Sequence, residues 1–400
     1  MTKRPRPYVI FLSILATLMS VAAPARSQTL MTGDIVQFIK TIKDAMPDMG
    51  TNKFFIPTNA HLNFFDTLFI DLKKKDLATI ESRAAQYGYQ FIKFVNTATK
   101  DTLYILKENI PVMRGWGTYI FDPSSMNDLT IEAPHPLWDT NSWELAIRAY
   151  IKTNARWFIL AGTHRYSNSD SSSDMAHVTQ SVFHICHKRA GTSRAIQIHG
   201  FSKTGGNTGY PDLVISNGTL NPPSILYTVQ TKYTAKGFTA GVFSTSTYSA
   251  LNNLGATTNK QGQYSNSNGR LFVHIEHDYP LRNTPAKLTL CVEAIDEVFG
   301  LLTGVDEEPL KGPNDFQLYQ NYPNPFNPAT TIKFYLPTDA WTTVSVTDLS
   351  GRTVGRLMND YLHQGIHTVQ FSGERLSSGI YFCTITTASF MRTMKMVLIQ

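Results

Sequence analysis

The sequence predicts an α/β domain, built round a largely parallel or mixed sheet, followed by a small all-β sandwich. Between residues 34 and 301, short apolar runs of strand character alternate with amphipathic helical segments, the pattern of an α/β domain. From Phe316 to Gln400 the runs alternate apolar with polar residues and are separated by turns such as Ser350-Gly351-Arg352 and Ser377-Ser378-Gly379, the pattern of a sandwich. Between the two lies Thr303 to Asp315, with Gly304, Pro309, Gly312, Pro313 and the consecutive acids Asp306-Glu307-Glu308, which reads as a linker. The expected organisation is a leader over residues 1–27, the α/β domain over 28–302, a linker over 303–315 and the sandwich over 316–400.

In chain order, Lys3, Arg4 and Arg6 precede an apolar stretch from Val9 to Ala23, and Ala25-Arg26-Ser27 offers small residues at the −3 and −1 positions. This is a secretory signal pattern with a mature start near Gln28. Asp34 to Ala45 is amphipathic, with Ile35, Phe38, Ile39 and Ile42 on one helical face. Asp76 to Tyr87 is expected as a second helix, capped by Asp76 and ended by Gly88. Strands are expected at Gln90–Val95, Thr102–Lys107, Thr118–Phe121 and Leu129–Ala133. A helix then starts near Ser142, where Asn141 and Glu144 form a weak capping box. Further strands fall at Trp157–Gly162, Ala195–Ile198 and Leu271–Ile275. Ser244 to Gly269, rich in Ser, Thr, Asn and Gly, reads as a long loop or a loop-and-helix excursion.

Composition narrows the function. At 42% hydrophobic and 12% aromatic, the 400 residues carry real cores and are not generally disordered. The formal charge of +6 is concentrated in the leader, which holds Lys3, Arg4, Arg6 and Arg26 and no acid; without it 32 basic face 30 acidic residues. A nucleic-acid partner therefore has no electrostatic support. Beyond the leader no run reaches membrane-spanning length, so no transmembrane segment is expected in the mature chain. The three cysteines cannot form a disulfide framework. Cys186–Cys291 is a possible pair, but the apolar runs around them favour buried free thiols. No Gly-x-Ser-x-Gly elbow, Walker loop or dinucleotide fingerprint is present.

The chemistry lies at strand ends. Leu129–Ala133 leads into Pro134-His135-Pro136-Leu137-Trp138-Asp139, Trp157–Gly162 into Thr163-His164-Arg165, and Ala195–Ile198 into His199-Gly200. Leu271–Ile275 leads into Glu276-His277-Asp278. In an open α/β sheet ligands bind beyond the carboxyl ends of the strands. His, Asp, His and Glu delivered to one rim suit a hydrolytic metal site, in which three N/O ligands leave a position open and a free carboxylate acts on water. Each residue also has a plainer reading. Asp139 can cap the following helix, His199 can be a satisfied rim residue, and Glu276 can pair with Arg282 or a histidine. Arg165 can capture a carboxylate in two-point fashion or pair with Asp174 to hold its loop. Arg282 is a second candidate for carboxylate binding, and His164 can polarise a carbonyl or steady an oxyanion.

Two resemblances add to this reading. Asn321-Tyr322-Pro323-Asn324-Pro325-Phe326-Asn327-Pro328, Asp348-Leu349-Ser350-Gly351-Arg352, Leu376-Ser377-Ser378-Gly379-Ile380-Tyr381 and Lys395-Met396-Val397-Leu398 resemble the C-terminal sorting domain of the type IX secretion system. That resemblance implies passage via the periplasm through the outer membrane to the medium or the cell surface, with the secretion machinery as a partner. It says nothing about chemistry. The order His135, Asp139, His199, Glu276, Arg282 resembles the zinc carboxypeptidase-like superfamily, with its phosphorylase/hydrolase-like mixed-sheet fold, and within it N-formylglutamate amidohydrolases and poly-γ-glutamate hydrolases. This second resemblance implies that His135, Asp139 and His199 bind Zn²⁺ and that Glu276 is the base. The chain departs from the carboxypeptidase pattern in having Trp138 three residues after the first histidine, so Glu132 or Glu144 are alternative acidic ligands. The expected function is a secreted zinc hydrolase of an amide next to a free carboxylate, acting on a small molecule or peptide. The alternative is a non-catalytic surface-binding protein on the same fold.

Overall fold

The structure is a computed structural model that describes residues 29–110, 113–204, 209–300, 316–321, 324–362 and 364–400. The expected leader and linker lie outside these residues. The chain divides into two compact units between Val298 and Phe299.

The first unit is built on one ten-stranded mixed sheet. Its strands are β1 (Thr29–Gly33), β2 (Tyr89–Asn96), β3 (Thr102–Glu108), β4 (Thr118–Phe121), β5 (Asn127–Ala133), β6 (Ala155–Leu160), β7 (Arg194–Phe201), β8 (Leu213–Ser216), β9 (Ala240–Val242) and β10 (Leu271–Asp278). Their spatial order is β1-β2-β3-β4-β6-β5-β7-β10-β8-β9. The block β6-β5-β7-β10 is wholly parallel. The four strands that the sequence marks as delivering His164, His135, His199 and Glu276 are therefore adjacent, and their carboxyl ends share one edge.

Helices cover both faces of this sheet. They are α1 (Ile35–Asp44), α2 (Asn59–Lys74), α3 (Ile80–Gln86), α4 (Ser142–Lys152), α5 (Val182–Ala190), α6 (Ile225–Ala235), α7 (Tyr248–Leu251), α8 (Lys260–Ser267), α9 (Tyr279–Asn283) and α10 (Pro285–Phe299). Consecutive strand residues point to opposite faces. Trp157 packs with Phe65, Phe69, Phe183 and Cys186 of α2 and α5, whereas Phe158 meets Tyr150 of α4. Asp34 caps α1 through the N–H groups of Val36 and Gln37, as its position before the apolar stripe implies.

Two differences from the sequence reading have physical causes. Asp76 does not open a helix: its N–H donates to Asp71 O, and Lys75 adopts φ 59, so the residue closes α2 and α3 begins only at Ile80. Asn141 is itself left-handed, at φ 60, and makes no side-chain cap bond, so the weak capping box does not form. Of the two forms expected for Ser244 to Gly269, the loop-and-helix excursion is the one found, in short helical turns ending with α8, whose Asn259 cap accepts from Gly262 N–H. All three cysteines are free and buried.

The second unit has two antiparallel sheets. β11 (Gln317–Leu318), β12 (Ala329–Leu336) and β15 (Gly365–Ser372) form one. β14 (Thr353–Leu362), β13 (Ala340–Asp348), β16 (Gly379–Thr386) and β17 (Met391–Leu398) form the other. Ile332, Phe334 and Leu336 from the first share a core with Val344, Val346, Cys383, Ile385 and Met396 from the second. The Asp348-to-Arg352 motif is a self-contained turn. Asp348 Oδ1 accepts from the N–H groups of Ser350 and Arg352, and Gly351 takes φ 83. Among the described residues no helix is long and apolar enough to cross a membrane.

One buried cation locks the carboxyl edge of the first unit. Arg282 donates to Thr140 O, to His277 O at 3.1 Å and to Phe201 O at 3.0 Å, tying the ends of β7 and β10 to the turn before α4. This corrects the expectation that Arg282 presents a fork to substrate: it is 3% exposed and bonded to the scaffold. Its guanidinium lies over Gly200, where a Cβ would come within 2.1 Å of Arg282 Cζ. Gly200→Ala is accordingly expected to destabilise the unit by about 1–3 kcal/mol, the usual cost of overpacking. A lowered denaturation midpoint would show this, and an unchanged midpoint would contradict the clamp.

Candidate metal centre

The site grows from a polar ladder on the sheet face covered by α5 and α8. Parallel pairing sets Glu132 of β5 beside Gln197 of β7, and Gln197 beside His274 of β10. Two residues further along, on the same face, His199 pairs directly with Glu276. Past the end of β5, the turn that holds Pro134 and Pro136 brings His135 and Asp139 over the same edge. There Asp139 N–H donates to His135 O.

His135, Asp139 and His199 converge. Asp139 Oδ2 lies 3.4 Å from His135 Nδ1 and 3.3 Å from His199 Nδ1. All three residues are buried, with no more than 3% exposure, and Oδ2 has no hydrogen-bond partner. The opposite ring nitrogens are both taken. His135 Nε2 meets Asp174 Oδ1 at 2.8 Å. His199 Nε2 meets Gln197 Oε1 at 2.7 Å.

These outer partners fix the tautomers. The Asp174 carboxylate, held well below the usual range by His135, His177 and Arg165 against the opposing effect of burial, can only accept, so His135 Nε2 donates. Gln197 Nε2 donates to Glu132 Oε2 at 2.9 Å, and its Oε1 accepts from Asn259 Nδ2 at 2.5 Å. The reversed amide would set two acceptors, Oε1 and the Glu132 carboxylate, against each other. Gln197 Oε1 must therefore face His199 Nε2, which donates. The lone pairs of both Nδ1 atoms are thus left pointing at a buried carboxylate oxygen.

Three acceptors in one dry pocket repel unless a cation joins them. Two kinds fit. A proton on His135 is one: burial opposes it, but Asp139 and Asp174 outweigh burial and raise this pKa above the ordinary histidine value. Burial lowers His199 to about 4, so that ring is neutral. A divalent metal is the other. Zinc bonds of 2.0–2.1 Å in a tetrahedron put ligand atoms about 3.3–3.4 Å apart, which is the separation observed on the two measured edges. The donors also suit zinc, and each histidine already has the outer-shell partner that metal-binding imidazoles need.

Glu276 and His274 stand beside this trio. Burial, together with the charge of Asp139, pushes the Glu276 carboxyl up to about 8, and its Oε2 has no partner. His274 packs against His199 with the rings tilted at 39° and 4.4 Å between centroids, lies 3.5 Å from Glu276 Oε1 and is held neutral by burial. The alternative acids are engaged elsewhere. Glu132 binds His187 Nδ1 at 2.6 Å as well as Gln197, and Glu144 pairs with Arg148.

Arg165 takes the partner that its plainer reading gave it, Asp174. Its Nη2 bonds Asp174 Oδ2, and Nη1 lies 3.5 Å from His135 Nδ1, while Nε is buried without a partner. Burial depresses the pKa of His164, and its Nδ1 accepts from Tyr166 N–H, which leaves the proton on Nε2. Sequence reasoning missed Gln197. Its one signal was an amide two residues before His199 in an otherwise apolar strand, on the same face.

Residues 320–400 match the family described as the secretion system C-terminal sorting domain. The expected type IX sorting domain is thus present, and it directs the protein to the cell surface or the medium. No curated protein matches the chain. Among solved structures, it is similar to PorZ, a surface component of the type IX secretion system of Porphyromonas gingivalis, at 22% identity and a TM-score of 0.16. That match covers 21% of this chain and 11% of PorZ. It is also similar to the gene product Atu2144 of Agrobacterium tumefaciens, at 11% identity and a TM-score of 0.30, over 44% of this chain and 90% of that one.

The geometry predicts that zinc affinity depends on the outer partner of His199. Gln197→Leu should weaken zinc binding about 10–100-fold, the usual loss for such partners. His135→Ala, Asp139→Ala and His199→Ala should weaken it at least as much, and Glu144→Ala should not. Competition against a chromophoric chelator measures each. Unchanged affinity in Gln197→Leu and His199→Ala would refute the centre.

Proposed function

We propose that the α/β unit is a secreted or surface-displayed zinc hydrolase of an amide next to a free carboxylate, as in a peptide, an N-acyl amino acid or a γ-glutamyl link. The observation that carries this reading is the carboxyl of Glu276, unpartnered at Oε2 and set by strand register directly beside His199 of the three-donor centre. The order of these residues, which resembles that of zinc carboxypeptidase-like enzymes, supports it. The sorting domain is consistent with it, since it sends the unit to the cell surface or the medium.

His135, Asp139 and His199 would hold the zinc, which would supply Lewis acidity toward water and toward the scissile carbonyl. Glu276 takes the proton of the attacking water and returns it to the leaving nitrogen. In the metal-free site burial and the charge of Asp139 push this carboxyl up to about 8; a bound zinc cation would lower it and free Glu276 to act as the base. His164, neutral with its proton on Nε2, donates to the developing oxyanion. Arg165, held at Nη2 by Asp174, turns Nη1 toward the centre and offers the substrate carboxylate a single charged hydrogen bond there. Arg282 has no part in this, being bonded to backbone carbonyls.

Glu276→Gln keeps the shape of the side chain and removes its basicity. It should retain zinc and lower turnover by about two or more orders of magnitude, the scale of general-base loss. A screen of N-acyl amino acids, γ-glutamyl peptides and peptidoglycan fragments with the zinc-loaded protein identifies the substrate for that comparison. Turnover near wild type in Glu276→Gln would remove Glu276 from the reaction.

A further inference from the structure

Two large aromatic side chains stand exposed beside the candidate centre, and the chemistry described so far does not use them. Trp138 lies between His135 and Asp139 in the chain and is 48% exposed, and Tyr166 follows Arg165 and is 40% exposed. Their rings meet edge to face, 5.1 Å between centroids at 87°. Both touch His164, at 5.6 and 5.9 Å. The Arg165 guanidinium links this pair to the centre: Nη1 is 3.5 Å from His135 Nδ1, and Cζ is 5.2 Å from the Tyr166 ring centroid.

Trp138 is held in place because its neighbours in the turn, His135 and Asp139, are buried and fixed. Tyr166 is held by its backbone. Its carbonyl accepts from Gly50 N–H, and its N–H donates to His164 Nδ1. Leaving two such rings in water forgoes a large hydrophobic gain. Rings at right angles form a corner, which has two apolar walls for a bulky group and no flat open platform.

We infer that Trp138 and Tyr166 form a specificity subsite for a large apolar side chain, aromatic or branched aliphatic, on the residue that bears the scissile amide. The inference rests on the hydrolase reading, since the corner is continuous with that site through Arg165 and His135. A substrate with only hydrogen or methyl at this position leaves the corner wet. One with a benzyl-sized group covers both rings and gains the tenfold or more that such pockets confer.

The test compares two zinc-binding probes on the zinc-loaded full chain, acetohydroxamate and 3-phenylpropionohydroxamate, by calorimetry with zinc content checked before and after. The phenyl probe should bind about tenfold or more tightly than acetohydroxamate. Tyr166→Ala should retain zinc and bind acetohydroxamate as wild type does, while losing most of the phenyl advantage. Trp138→Ala should behave alike, and Tyr166→Ala decides the matter if the ligand turn does not tolerate that change. Equal binding of the two probes by wild type, or an undiminished phenyl advantage in Tyr166→Ala, would overturn the subsite and leave the metal site standing. Binding of neither probe would overturn the hydrolase reading and the subsite with it.

Discussion

The structure depends on one unfavourable convergence. Two imidazole nitrogens each lie within 3.4 Å of one buried carboxylate oxygen, and with both rings neutral neither nitrogen has a proton to share with it. Such an arrangement persists only if the surroundings enforce it and a cation relieves it. Asp174 and the Glu132–Gln197–Asn259 chain provide the enforcement from opposite sides. A proton on His135 provides relief, and a divalent metal bound in its place would release that proton.

The scaffold explains how such a meeting is held. Four parallel strands end at one edge, and the register beside them is set by apolar residues on the other face, such as Ile131, Ile196 and Ile275. A slip of one residue would turn every polar rung into the opposite layer. Arg282 then staples the ends of β7 and β10 to the turn before α4, and Gly200 leaves room for its guanidinium. The same cation that looks like a substrate ligand in the sequence is thus what keeps His199, Glu276 and the ligand turn in one frame.

Much of this was legible in the sequence, for identifiable reasons. Strands that run apolar to a terminal histidine or carboxylate announce both the sheet and its functional edge, and His135, Asp139, His199 and Glu276 meet where that reading put them. The sorting domain was legible because its turns need particular residues, as Asp348 and Gly351 show. Helix α2 is also written in the chain, through Phe65, Leu68, Phe69 and Leu72 at helical spacing, but the reading passed over it and assigned Asp76 to the next helix. Partners distant in sequence were not legible. Nothing near Arg282 reveals that it bonds carbonyls from three segments, and nothing near Gln197 reveals that Glu132 and Asn259 orient its amide. Those facts are set by tertiary packing, which local pattern does not encode.

The most direct measurement is a crystal structure of the zinc-loaded protein with anomalous diffraction collected across the zinc edge. The account predicts one strong peak about 2.0–2.2 Å from His135 Nδ1, His199 Nδ1 and an Asp139 carboxylate oxygen, with His135 Nε2 still on Asp174 and His199 Nε2 still on Gln197. Zinc bound through the Nε2 atoms, or at other side chains while Asp139 simply bonds a doubly protonated His135, would contradict it.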